Sequence, residues 1–269
     1  MAISLLILPR HPKSGPTRRK TLADGQPKRH IQLMDWRDEG ILLAMRPHGE
    51  TSAIIEVFSA LHGRHAGVVH GGASRKMAPV LQPGAQLDLA WRARLEEHMG
   101  SFTVELTRAR AAMVLGDRLA LAGLSAACAL CRYALPERQA SPMLYSATVA
   151  LLDRLGQPGW LRDYALWELT LLEETGFGLD LQQCAVTGAT DGLAYVSPRT
   201  GRAVTAQAAG EFAARLLVLP AGLVTDAALD AQAARDALHL SGYFLHHWLS
   251  ESIGRPLPEA RARLVSQLG

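Results

Sequence analysis

Between Asp35 and Arg110 the chain is cut at short intervals by turn signals: Pro47-His48-Gly49, His62-Gly63, Gly71-Gly72, Pro83-Gly84 and Met99-Gly100. The segments between them alternate apolar and polar residues, the period of a strand with one buried face. They predict strands over residues 37–45, 52–59, 64–70, 85–94 and 100–107. Five short strands in so little chain predict a small closed barrel, for which the OB-fold is one common solution.

Beyond residue 110 the apolar period lengthens. Leu121, Leu124, Cys128 and Cys131 recur at spacings of three and four, which predicts a helix over 117–135 stopped by Pro136. Ser141-Pro142 reads as an N-cap followed by proline at the first helical position, opening a helix to residue 155. A third helix is expected over 160–175, with Tyr164, Trp167, Leu171 and Leu172 on its buried stripe. Residues 181–206 are turn-rich and predict a hairpin, 192–197 and 202–205, around Pro198–Gly201. Helices are then expected over 212–219 and 226–251, and a short one in the tail. The class is α+β and multidomain: a barrel at 34–110, a helical domain at 111–180, a small hairpin module at 181–206 and C-terminal helices at 207–269. Residues 1–33 are rich in Pro, Gly and cations and predict a disordered basic extension. Patterned sequence begins only at Asp35-Trp36, which points to Met34 as the natural start.

Charge constrains the function. The formal net charge is +3, with 28 Lys/Arg against 25 Asp/Glu. Residues 1–33 hold seven of those cations and one acid, so the remaining residues carry −3. Attraction to a polyanion must therefore come from local clustering. One cluster is plain: from Val57 to Leu87 there is no Asp or Glu, while Arg64, Arg75, Lys76 and three histidines fall inside. A strand pair ending in a glycine-flexed basic loop suits a phosphate backbone, although a solvated hairpin with ordinary surface charge has the same composition. Alternation also places Arg92 and Arg94 on one face of their strand.

Other motifs favour bland readings. Cys128-x-x-Cys131 lies mid-helix on an apolar stripe with no second pair, which suits buried core cysteines. His246 and His247 are adjacent on a helix, point to different faces and suit its surface. Cys184 opens a knuckle-like spacing, but Thr187, Thr205 and Ala208 stand at its other positions, and one thiolate cannot hold structural zinc. No phosphate loop, nucleophile elbow or placed carboxylate pair occurs, so no catalytic residue, cofactor or metal ligand is assigned. Three cysteines fit a reducing cytoplasm, and no apolar run is long enough to span a bilayer.

These blocks together resemble a known family. Met34-Asp35-Trp36-Arg37-Asp38-Glu39-Gly40-Ile41 resembles the start of the bacterial RecO recombination mediators. Gly49-Glu50-Thr51-Ser52, Glu56-Val57-Phe58, His62-Gly63-Arg64, Gly71-Gly72-Ala73-Ser74-Arg75 and Leu81-Gln82-Pro83-Gly84 follow in the family's order. Further on, Glu173 to Asp180 followed by Cys184, and Gly254-Arg255-Pro256-Leu257, are similar to its later blocks. The resemblance implies an N-terminal OB-fold, a helical middle, and a small module that binds zinc in some members; here that module has lost its zinc ligands. It also implies a non-enzymatic protein of the cytoplasm, associated with the nucleoid. Such a protein binds single- and double-stranded DNA, anneals complementary strands, and works with RecR and single-strand-binding protein to load the RecA recombinase. On that basis Arg37, Arg46, Arg64, Arg75, Lys76, Arg92 and Arg94 are expected to contact DNA. Arg118, Arg132 or Arg138 is expected to edge an apolar groove for the C-terminal tail of single-strand-binding protein, the alternative being ordinary surface arginines. The rival expectation is an interaction scaffold that does not touch DNA.

Overall fold

The computed structural model describes residues 34–268, so the expectations for 1–33 lie outside the described residues. Five strands close into a ring: β1 (Met34–His48), β2 (Ser52–Ser59), β3 (Gly63–Val69), β4 (Gln86–Ala93) and β5 (Ser101–Arg108). Their order is β1-β2-β3-β5-β4, and only the β3–β5 pair is parallel. Long β1 serves two neighbours, Met34–Ile41 pairing with β4 and Gly40–His48 with β2. It changes partner at Gly40, where a Cβ would lie 2.6 Å from the Leu89 side-chain tip and 3.2 Å from the Phe58 carbonyl, so a larger residue would have to displace buried Leu89. Inside the ring Leu42, Ile55, Val57, Leu87, Leu89, Trp91 and Phe102 are buried. The β3–β4 connection adds Leu81, 1% exposed, with Met77 and Val80 beside it. Each such aliphatic side chain contributes roughly 1.5–3 kcal/mol by leaving water.

The helical body follows: α1 (Arg110–Met113), α2 (Arg118–Ala134), α3 (Pro142–Arg154) and α4 (Trp160–Glu174). Asp117 caps α2 by accepting from the N–H groups of Leu119 and Ala120, both at 3.0 Å. Ser141 does not cap α3 as expected. Its hydroxyl donates instead to Glu174 Oε2 at 2.5 Å, and Pro142 alone sets the helix start. Ile41, Leu43 and Phe58 of the barrel wall join the core formed by Leu124, Leu130, Leu144, Tyr164 and Leu171, so one apolar core runs from barrel into helices. Cys128 and Cys131 lie in it, and burial pushes the Cys128 thiol up to about 12.

The hairpin is present as β6 (Leu193–Val196) and β7 (Ala203–Thr205), followed by α5 (Ala206–Ala209). The helix expected over 212–219 is not formed. Gly210 (φ +47°) breaks the chain, a 3-10 turn covers Gly210–Arg215, and β8 (Leu217–Val218) joins β6 as a third strand before Pro220. The expected 226–251 helix starts later, because Asp230 is its cap, and runs as α6 (Ala231–Phe244). It widens through Leu245–Ser250 into α7 (Glu251–Ile253). Finally α8 (Glu259–Ser266) packs against α2. Among the described residues no helix is long and apolar enough to cross a membrane.

Candidate nucleic-acid interface

Strand register fixes which barrel cations are neighbours. On β4, Trp91 and Ala93 face inward while Arg92 is exposed; the strand ends at Ala93, so exposed Arg94 lies just past it and does not share its face as expected. Arg92 stands across from Asp35 on one side and Ser101 on the other. One row along the same outer face, exposed Arg37 stands across from Ala90 and then Thr103. The next row is acidic throughout: Glu39, Asp88 and Glu105. The positive part of this face is thus its Arg37–Arg92 end, with Asp35 beside Arg92.

A second group sits at another place on the barrel. Arg75 and Lys76 are exposed on a turn in which the Met77 N–H donates to the Ser74 carbonyl at 3.0 Å. The Ala73 N–H donates to the Thr51 carbonyl at 3.0 Å, which holds this loop against the β1–β2 turn. Exposed Arg46 lies near that turn, across from Ile54. Among the described residues, none of these six cations makes a salt bridge.

Arg64 is placed differently. Its Nη1 pairs with Glu56 at 2.9 Å and its Nε donates to the Leu135 carbonyl at 2.9 Å, so it spans the seam between barrel and helices. Arg132 reaches the same Glu56 carboxylate from α2 at 2.7 Å. Arg138 takes a left-handed backbone, φ +61°, and donates to the carbonyls of His98, at 2.7 Å, and Glu96. Its guanidinium lies 6.0 Å from the Trp91 ring. Arg118 opens α2 and Arg132 lies in its last turn, roughly 20 Å away along the helix. Near Arg138, a cleft of about 330 Å³ is lined by Leu135, Pro136, Phe177, Leu249 and Ile253.

The seam also buries groups whose pairing carried no sequence signal. Arg110 is 2% exposed and donates to Asp153 at 2.6 Å and to Gln86 at 2.9 Å. Desolvation pushes the Asp153 carboxyl up, but Arg110 and the neighbouring Arg108 outweigh it and hold the group below its ordinary range. Inside the barrel, His65 is walled by Trp91, Phe102 and Trp36, and burial pulls its pKa down to about 4. Trp36 in turn is stacked by His62, centroids 3.9 Å apart, and His62 contacts Asp38 at 3.2 Å.

In the small module Cys184 is buried, and its sulfur receives the Thr205 N–H at 3.4 Å with Thr205 Oγ1 at 3.8 Å. Desolvation raises the thiol, while hydrogen bonds from Thr187 and the Thr205 N–H outweigh it and bring the pKa to about 6. These residues do not fit zinc: a single thiolate stands where four ligands are needed, and among the described residues no group of three potential ligands is present.

A closed five-strand ring fused through a shared core to a helical body defines a barrel-and-helix protein. The family described as Recombination protein O N terminal matches residues 34–110, and that described as Recombination protein O C terminal matches residues 115–261. The chain is 60% identical over 237 residues to the DNA repair protein RecO of Cereibacter sphaeroides, covering 88% of this chain and 99% of that one. It is 58% identical over 238 residues to the DNA repair protein RecO of Dinoroseobacter shibae, covering 88% and 98%. The same protein of a Jannaschia species is 58% identical over 236 residues, covering 87% and 96%. The chain belongs to the RecO family of DNA repair proteins.

Proposed function

We propose that this protein is a recombination mediator in DNA repair that binds single- and double-stranded DNA and does no covalent chemistry. Membership of the family across both the barrel and the helical body is the observation that carries the reading. The barrel is read as an OB-fold. Arg37 and Arg92 on one outer face, Arg94 just past the end of β4, and Arg46, Arg75 and Lys76 beside the β1–β2 turn supply its phosphate contacts. Arg64 contributes from the seam, where Glu56 already holds it. Contacts to phosphates leave base edges free, which annealing of complementary strands requires. RecR and single-strand-binding protein are its partners in loading RecA, in the cytoplasm and at the nucleoid. The acidic tail of single-strand-binding protein is read as meeting the helical body by Arg138, Arg132 or Arg118. The small module is read as a zinc knuckle rebuilt without zinc.

The test is annealing of complementary oligonucleotides coated with single-strand-binding protein. Acceleration by this protein is the expected result. No acceleration, together with no shift of naked DNA at low salt, assigns the chain to the rival role of a scaffold.

A further inference from the structure

Arg255 belongs to the Gly254-Arg255-Pro256-Leu257 segment, which the contacts above leave without a role. Gly254 ends α7 in the left-handed region, φ +72°, and turns the chain back toward α2. The Arg255 carbonyl then accepts from Ser250 Oγ at 2.7 Å and from the Tyr133 hydroxyl at 2.5 Å. Its guanidinium lies over the Tyr133 ring, 5.4 Å from the centroid. There it borders a cleft of about 360 Å³ whose walls come from barrel (Glu56, Arg64), α2 (Arg132, Tyr133) and tail (Arg255, Pro258).

Three guanidiniums face one carboxylate in this cleft. Glu56 is shared, with Arg64 at 2.9 Å and Arg132 at 2.7 Å, and the surplus is two positive charges. Arg132 remains 52% exposed, and the exposed Arg255 guanidinium has no acceptor among the described residues. A planar guanidinium already held on an aromatic ring loses little freedom when it forks onto two oxyanion oxygens. The only apolar lining besides Ala129 and Pro258 is the Tyr133 ring, which the Arg255 guanidinium covers. An acidic peptide would find no pocket here for apolar side chains, whereas a phosphate asks only for charge and donors.

We propose that this cleft is a phosphate-binding site at the seam, taking a backbone phosphate of single-stranded DNA between Arg255 and Arg132. Arg64, pinned by Glu56, forms its fixed wall. The proposal rests on the reading that the protein binds DNA and adds a contact off the barrel, so that the strand crosses from barrel to C-terminal helices.

The experiment is a salt titration of oligo(dT) binding by fluorescence anisotropy on the full chain, with thermal melts of every variant. Arg255→Ala is expected to weaken binding on the order of three- to tenfold and to flatten the slope of log K against log salt by about 0.7, one phosphate on a single strand. Arg255→Lys keeps the charge and should restore the slope more than the affinity. If Arg255→Ala melts early, Arg132→Gln reads the same slope. Unchanged affinity and slope in both, while Arg75→Ala/Lys76→Ala weakens binding, overturns the cleft and leaves the DNA reading intact. Absence of binding by the parent protein removes the reading itself. Loss of affinity for an acidic peptide with DNA binding unchanged gives the cleft to a peptide and overturns the proposal.

Discussion

Replacing Arg261 by Met should detach the C-terminal helix more than any surface change would. Glu168 on α4 is 0% exposed, and Arg261 on α8 meets it with two forked bonds, both 2.8 Å. Ser241 on α6 donates to the same carboxylate at 2.5 Å, and Arg261 also donates to the Leu238 carbonyl at 2.8 Å. Three helices thus converge on one buried charge. Removing the guanidinium strands that charge with a single hydroxyl, which costs about 3–5 kcal/mol for a broken buried pair. At roughly 2–4 °C per kcal/mol for a chain of this size, the melting temperature should fall by roughly 6–20 °C. The double variant Glu168→Leu/Arg261→Met removes both charges. Ser241 keeps the Ala237 carbonyl at 3.1 Å as a partner, so no new orphan is created. The double variant should therefore regain most of the lost stability, within about 1 kcal/mol of the parent. Urea denaturation followed by tryptophan fluorescence reads both. A single variant losing under about 1 kcal/mol, or a double variant as weak as the single, refutes the buried-pair argument. Because α8 follows directly on Arg255 and Pro258, the single variant should also disturb the seam cleft.

Other outcomes follow from the same reasoning. His65 is 3% exposed, with its pKa lowered from 6.5 to about 4, so the unfolded chain takes up this proton first. The stability it supports is present above pH 6.5 and falls by about 3 kcal/mol as pH drops through that window; His65→Phe should flatten the loss, and an unaltered pH profile contradicts the assignment. Gly63 has φ +62°, and a Cβ there would stand 1.9 Å from the Gln139 carbonyl oxygen. Gly63→Ala should cost above about 2 kcal/mol in urea denaturation, whereas a cost under about 1 would show that the α2–α3 loop yields easily. The triple variant Thr187→Cys/Thr205→Cys/Ala208→Cys would supply four thiolates around the position of Cys184 and should take up one zinc per chain by metal analysis; no uptake would show that these turns do not face one another.

The barrel was legible because it is built from local signals. Alternation and turn dipeptides placed all five strands within a few residues, and β2 to the residue. Helices α2, α3 and α4 were equally plain, since proline or glycine marks the ends of each. What failed was non-local. Leu217 and Val218 pair with β6 across the module, and an aliphatic run of that length reads equally well as helix. Period alone put Arg92 on the outer face of β4, but not Arg94, which lies just past the strand's end. That Arg64 and Arg132 meet on Glu56 could not be foreseen, because 76 residues separate Arg132 from Glu56. The Arg110–Asp153 and Arg261–Glu168 pairs are hidden for the same reason, being 43 and 93 residues apart. Arg255 stood in a noted motif, but its place against Tyr133 depends on the turn at Gly254 and on the docking of α8.

Residues 34–268 are not basic overall, so the proposed hold on the DNA backbone falls to the unpaired barrel cations. A salt titration of single-stranded DNA binding with Arg75→Ala/Lys76→Ala measures it most directly. Losing two phosphate contacts should flatten the slope of log K against log salt by about 1.4 and weaken binding severalfold at about 0.1 M salt, with the melting temperature unchanged. Unchanged affinity and an unchanged slope would contradict the account.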